Sequence, residues 1–173
     1  MATVIEFRML EPFEVLSDGQ PVQLGPLKQR AVLAYLLLHA DEVVPISRLI
    51  DAPWEDDPPI SARQSMQNAV SGLRKVLFGA TGADGASLTT RPPGYPPCRT
   101  DLHPFQDLRT RGDRALGGGR PGGASGLLHR ALALWRGPAL ADLREAGLQW
   151  PELQLLEEWR LATLETFSPL TAR

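Results

Sequence analysis

Cysteine is almost missing from this chain of 173 residues, with Cys98 as its single example. One cysteine excludes an internal disulfide framework, and a reducing, cytoplasmic location is the simplest interpretation. No apolar run approaches the roughly 20 residues of a membrane span. The alternating pattern of residues 1–9 is typical of a strand and not of a signal peptide. The sequence therefore predicts a cytoplasmic protein without a membrane segment.

Motifs that carry catalysis or bind ligands are also lacking. His39, His103 and His129 are far apart, and no pair has the spacing of metal ligands. No serine or cysteine lies in a nucleophile motif, and no glycine-rich phosphate loop follows a strand. We therefore expect no enzyme activity, no metal and no cofactor.

Charge is unevenly distributed. The whole chain carries a net charge of −2, whereas residues 58–100 contain a single anion, Asp84, and a local net charge of +4. A basic stretch in an acidic protein indicates an anionic partner such as nucleic acid, or else a solvated surface that is basic by chance. The cations of this stretch are Arg63, Arg74, Lys75, Arg91 and Arg99.

The segment 61–77 is the most informative part of the sequence. Apolar residues recur at helical spacing and predict a buried stripe of Met66, Val70, Leu73 and Leu77. On the opposite side we expect base-edge contacts from amides and a hydroxyl, namely Gln64, Gln67, Asn68 and Ser71. The cations Arg63, Arg74 and Lys75 are candidates for phosphate or guanine contacts. The alternative is a face that is only solvated.

The order of predicted elements is that of a winged helix-turn-helix: strands, three helices, then a hairpin. Pro53 should end the second helix early, because proline removes a backbone donor, and Ser61 is the expected N-cap of the third. A small α/β domain whose helices merely pack is the other possibility. The strands are expected at 4–10, 14–15 and 22–24, the first helix at 27–40, and the hairpin arms at 88–91 and 96–99.

Residues after 101 favour helices. A weak, glycine-broken helix at 105–116 should be followed by a glycine-rich connector at 117–126, because glycine is a poor interior helix residue. Leucine and tryptophan stripes predict strong helices at 125–135 and 152–167. Such pairs suggest a helical-hairpin repeat of only about one and a half units. We expect this segment to dock on the N-terminal half or on a partner rather than fold alone.

Several strings carry a family resemblance: LGPLKQRA at 24–31, RLIDA at 48–52, Trp54 with DDPP at 56–59, and LRK at 73–75 followed by RPPGY at 91–95. The N-terminal half resembles the OmpR-like winged-helix domain of SARP-type bacterial transcriptional activators. ALALWRGPAL at 131–140 resembles the start of that family's activator domain. The resemblance implies an α+β fold. A winged helix-turn-helix DNA-binding domain at 1–100 would precede a partial, all-α, TPR-like activator domain at 101–173.

The resemblance also implies a function: sequence-specific binding of double-stranded DNA, with direct repeats as the operator, to activate a biosynthetic gene cluster. By the same resemblance, Arg91 and Tyr95 of the wing would contact DNA. RNA polymerase is an implied partner, as is a second copy or a related regulator. The residues implied to touch the polymerase are Trp54, Glu55, Asp56 and Asp57.

Departures from the family pattern suggest one further hypothesis about DNA binding. Gly72 stands where the family usually has an arginine, Pro53 where a leucine is usual, and Pro96-Pro97 where wing hydrophobes are usual. Gly72→Arg should therefore restore a cation and tighten DNA binding. The alternative functions are a truncated interaction module that pairs with a full-length regulator without gripping DNA, and an enzyme with an unrecognised site.

Overall fold

A small sheet opens the chain in this computed structural model, which describes residues 4–40, 42, 44–54, 58–81 and 99–171. The strand order is β3-β2-β1-β4, with β4 parallel to β1 and the other pairs antiparallel. Phe7 of β1 pairs with Val15 of β2 on one side and with Thr100 of β4 on the other. The strands are β1 Ile5–Arg8, β2 Glu14–Ser17, β3 Gln20–Pro21 and β4 Arg99–Thr100.

The third strand begins earlier than the predicted 22–24. Ser17 pairs with Gln20, so the loop between β2 and β3 has only Asp18 and Gly19. Both loop residues have positive φ, 48° and 80°, as the favoured two-residue hairpin turns require of Asp-Gly. Pairing therefore resumes directly after Gly19. The predicted hairpin at 88–99 lies outside the described residues, apart from Arg99 in β4.

Three helices, α1 Leu27–Leu38, α2 Ile46–Trp54 and α3 Ala62–Thr81, pack together beside the sheet. Five consecutive residues of α1 (31–35) are buried, which confirms a helix covered on most sides. The expected early end of α2 is wrong, because Pro53 lies inside the helix. This proline is one residue from the helix end, where its missing N–H removes a single backbone bond.

The remaining helices are α4 Leu102–Gly117, α5 Pro121–Leu132, α6 Ala141–Glu145 and α7 Pro151–Thr171. Two predictions fail here: α4 continues unbroken through Gly112, and α5 begins inside the expected connector. Proline is favoured at a first helical position, so Pro121 starts α5 well. A Cβ at Gly112 would lie 2.6 Å from Leu128 Cδ2. Glycine is therefore what allows α4 and α5 to approach closely.

The two halves of the chain share one hydrophobic core. Leu140, Leu143 and Trp150 are buried in the same cluster as Phe7 and Val32. The indole N–H of Trp150 donates to the carbonyl of Ala52 in α2 at 2.8 Å. A second cluster, around Phe105 and Trp135, lies between the helices of the C-terminal half and includes Leu10. The C-terminal half therefore docks on the N-terminal half, as expected.

Partly buried polar contacts stabilise this junction. The Asp101 carboxylate accepts hydrogen bonds from the backbone N–H groups of Met9 and Leu10, at 2.8 and 3.1 Å. Burial raises the pKa of Asp101, and those two N–H bonds oppose the rise. Arg30 of α1 pairs with Asp142 of α6, and His39 Nε2 lies 3.0 Å from a Glu152 carboxylate oxygen.

Helices of bilayer-spanning length and apolarity do not occur in the described ranges.

Candidate nucleic-acid interface

Helix α3 presents one apolar and one polar face. Met66, Leu73 and Leu77 are buried against α1 and α2, and Val70 is half-buried, which confirms the predicted stripe. Ala62 and Ala69 are buried as well. Their burial was not predicted, because alanine is a weak marker of a buried face, although their spacing of seven completes the stripe.

Every polar candidate on α3 is exposed. The 3.6-residue period places them within an arc of about 140° around the helix, opposite the buried stripe. The helix contains three cations and no acidic residue, so its face is electropositive. This arrangement can bond to base edges and phosphates. The residues on the face are Arg63, Gln64, Gln67, Asn68, Ser71, Arg74 and Lys75.

Two amides on this face are already paired with each other. The Gln64 side-chain N–H donates to Asn68 Oδ1 at 3.2 Å, one helical turn away. The Asn68 amide nitrogen still has donors for a base acceptor, and its oxygen keeps a second lone pair. The contact orients Asn68 without consuming its capacity to bond a base edge.

Gly72 lies at the contact between α3 and α1. A Cβ at this position would lie 2.9 Å from Gln29 Cδ, so a side chain would begin against α1. Position 72 is half-buried, whereas its neighbour Ser71 is exposed. The position lies at the α1–α3 contact, which helical spacing alone did not reveal, so Gly72→Arg stays a prediction in which the new side chain must first displace the Gln29 amide.

Trp54 is the one polymerase-loop candidate within the described residues. Its ring is half-buried, and the Lys28 ammonium lies 4.3 Å from the ring centroid, a cation–π geometry. Lys28 thus ties the start of α1 to the end of α2. Glu55, Asp56 and Asp57 fall outside the described residues, as do the wing candidates Arg91 and Tyr95.

Two family models match the chain along most of its length. The model described as "Transcriptional regulatory protein, C terminal" matches residues 19–96, and "Bacterial transcriptional activator domain" matches residues 100–172. A solved structure, Mycobacterium tuberculosis EmbR in complex with low affinity phosphopeptide, is similar with a TM-score of 0.73 at 38% identity. That similarity covers 98% of this chain and 44% of the other.

Sequence relatives agree with these matches. The transcriptional regulatory protein EmbR of Mycobacterium tuberculosis is 43% identical over 82% of this chain, and MoaR1 of the same species is 39% identical over 83%. The regulatory protein DnrI of Streptomyces peucetius is 35% identical over 93%. The chain spans 37%, 48% and 62% of these relatives' lengths, respectively. The chain belongs to the SARP-type family of bacterial transcriptional regulators, in which an OmpR-like winged-helix domain precedes a bacterial transcriptional activator domain.

Proposed function

We propose that this chain binds duplex DNA sequence-specifically and regulates transcription, with α3 as the helix that enters the major groove. The observation that carries the proposal is the exposed polar face of α3, which lies opposite a packed apolar stripe. A helix with one packed apolar face and one exposed polar face can pack on its own domain while the exposed face contacts base edges.

The proposed roles follow the chemistry of each side chain. Amides bond adenine bidentately, so Gln64, Gln67 and Asn68 read bases, with Ser71 as a further donor or acceptor. The cations Arg63, Arg74 and Lys75 contact phosphates or guanine, which supplies affinity and orientation. The wing residues Arg91 and Tyr95 remain predicted contacts beside the recognition helix.

The proposed organisation assigns DNA binding to residues 1–100 and a partial activator domain to 101–173. RNA polymerase is the proposed partner of the segment that begins at Trp54, which Lys28 holds at the end of α2. Membership of the regulator family supports activation of a biosynthetic gene cluster from an operator of direct repeats.

The test is a salt-dependent titration of labelled duplex carrying a sequence that the protein enriches from a random pool. The logarithm of the binding constant should fall with log salt by about 0.9 for each phosphate contact. Lys75→Ala should reduce that slope by about one contact. Arg111→Ala is the matched control, because Arg111 is an exposed cation on α4 that pairs with Asp107 at 3.2 Å. No duplex binding even at low salt would refute the proposal.

A second candidate, the interaction module, is favoured by exposed leucines on α7. Leu161 and Leu164 belong to the leucine and tryptophan stripe of the predicted helix 152–167, which was expected to be buried, yet they are 57% and 38% exposed. Apolar side chains left in solvent are suited to contact another chain. Light scattering of the protein mixed with a full-length family member separates the two functions. A stable heterocomplex with no duplex binding would favour the interaction module.

A further inference from the structure

One side chain, Gln29 of α1, fills the space beside two glycines. A Cβ added to Gly25 would lie 2.7 Å from Gln29 Cδ, and one added to Gly72 would lie 2.9 Å from the same atom. Real Cβ atoms essentially never approach other atoms so closely, so a side chain at either position requires the amide end of the flexible Gln29 side chain to move. The Gln29 amide is therefore seated where a side chain at either position would begin, between the segment before α1 and the middle of α3.

Backbone conformation does not account for either glycine. The described glycines with positive φ are Gly19, Gly119 and Gly147, so Gly25 and Gly72 adopt conformations open to other residues. Glycine is also an unfavourable residue inside a helix. Gly79, which lies on α3 like Gly72, has open space around its Cα, with no atom within 4 Å of an added Cβ. Close approach to Gln29 is thus what distinguishes position 72.

We propose that Gln29 is a positioning residue for DNA reading, whose amide fixes how closely the recognition helix α3 lies against α1. Gly72 is four residues after Asn68 and three before Lys75, so both DNA candidates are its neighbours along the helix surface. A change in the α1–α3 spacing at Gly72 moves these side chains relative to the rest of the domain. The inference rests on the proposed function, in which α3 contacts the bases.

The experiment compares Gly72→Ala, Gln29→Ala and the double variant with the parent protein. Each is titrated against the labelled duplex that the parent enriches from a random pool, and against a scrambled duplex of equal composition. Thermal melting is recorded in parallel. Gly79→Ala is the matched control, because it adds the same methyl group to the same helix in open space.

Gly72→Ala should lower the ratio of the two affinities by about tenfold, because the added methyl group displaces the Gln29 amide or shifts α3. Removing the amide as well should bring the ratio back to within about threefold of the parent. Gly79→Ala should leave the ratio unchanged and raise the melting temperature slightly, since alanine is the better helix residue.

An unchanged ratio in Gly72→Ala, or a double variant no better than Gly72→Ala alone, overturns the inference while leaving the proposed function intact. If Gly72→Ala does not fold, Gln29→Ala tests the inference instead, because this substitution only removes side-chain atoms and introduces no clash. It should lower the ratio by about threefold, and no change would overturn the inference. A parent that enriches no sequence refutes the proposed function instead, and the positioning role falls with it.

Discussion

The exposed face of α3 and the junction between the two halves of the chain are both built from polar and charged side chains. On α3 these side chains are exposed, and the helix has no acidic residue of its own. At the junction, Arg30 pairs with Asp142, His39 pairs with Glu152, and Asp101 accepts two backbone N–H bonds. Burial therefore separates a surface that is open to a ligand from one that holds the two halves of the chain together.

The two regions should therefore respond differently to substitution. Changes at the junction are expected to lower the free energy of unfolding, because they leave buried groups without partners or open cavities. Changes on the α3 face are expected to alter DNA binding with little effect on stability, because exposed side chains contribute little to it.

Separating the two halves should have the largest effect. A fragment of residues 101–173 lacks the N-terminal residues that pack against its part of the shared core. That part consists of Leu140, Leu143, Leu148, Trp150 and Leu153. We expect weak helicity and no cooperative thermal transition by circular dichroism, because a core this small supplies only a few kcal/mol. Adding residues 1–100 in trans should raise the helicity. A cooperative melt of the monomeric fragment would contradict this prediction.

Trp150→Ala at the junction should lower the free energy of unfolding more than any single substitution on the α3 face. Trp150 is 5% exposed, lies edge-on to Tyr35 with ring centroids 5.3 Å apart, and donates to the Ala52 carbonyl. Its loss should cost about 3–5 kcal/mol of unfolding free energy in urea titrations. Leu161→Ala, a 57% exposed residue of α7, is the control and should change it by less than about 0.5 kcal/mol. Equal costs would show that the junction does not stabilise the fold as described.

On the α3 face, two substitutions should separate base reading from phosphate contact. Asn68→Ala should reduce discrimination between the enriched and the scrambled duplex by about 1–3 kcal/mol, because a bidentate amide contact is lost. Lys75→Ala should weaken both duplexes by similar factors. Both variants should melt like the parent. Uniform weakening by both substitutions would mean that α3 makes only electrostatic contact.

The smallest expected effect is a pH dependence at Asp101, whose side chain is 10% exposed. Burial raises its folded-state pKa, so the folded protein binds this proton more tightly than the unfolded chain does. The carboxyl's contribution to stability therefore falls as pH rises from the ordinary aspartate pKa through the raised one. As pH rises over this range, the free energy of unfolding of the parent should therefore fall relative to that of Asp101→Asn. A shift in the parent's favour over that pH range would contradict the prediction.

Helix α3 was predictable from the sequence because its apolar residues recur at helical spacing over about three turns. The short elements were not predictable. Helix α6 has five residues, too few for a periodic pattern, and it follows Leu140, whose backbone is in the left-handed conformation. The glycines of α5 argued against a helix there, yet packing against α4 outweighs their low propensity. Leu161 and Leu164 showed the opposite failure, since correct spacing did not bring burial.

Periodicity, turn residues and motif strings are local properties, so the sequence was sufficient to predict the first three helices, the two-faced character of α3 and the family. Which polar residues meet at the junction and which atoms lie beside Gly72 depend on the tertiary structure. Asp101 and its partners Met9 and Leu10 are more than 90 positions apart in the chain, and Gln29 and Gly72 lie on different helices. Contacts between distant residues depend on how whole elements pack, and no local pattern specifies that packing.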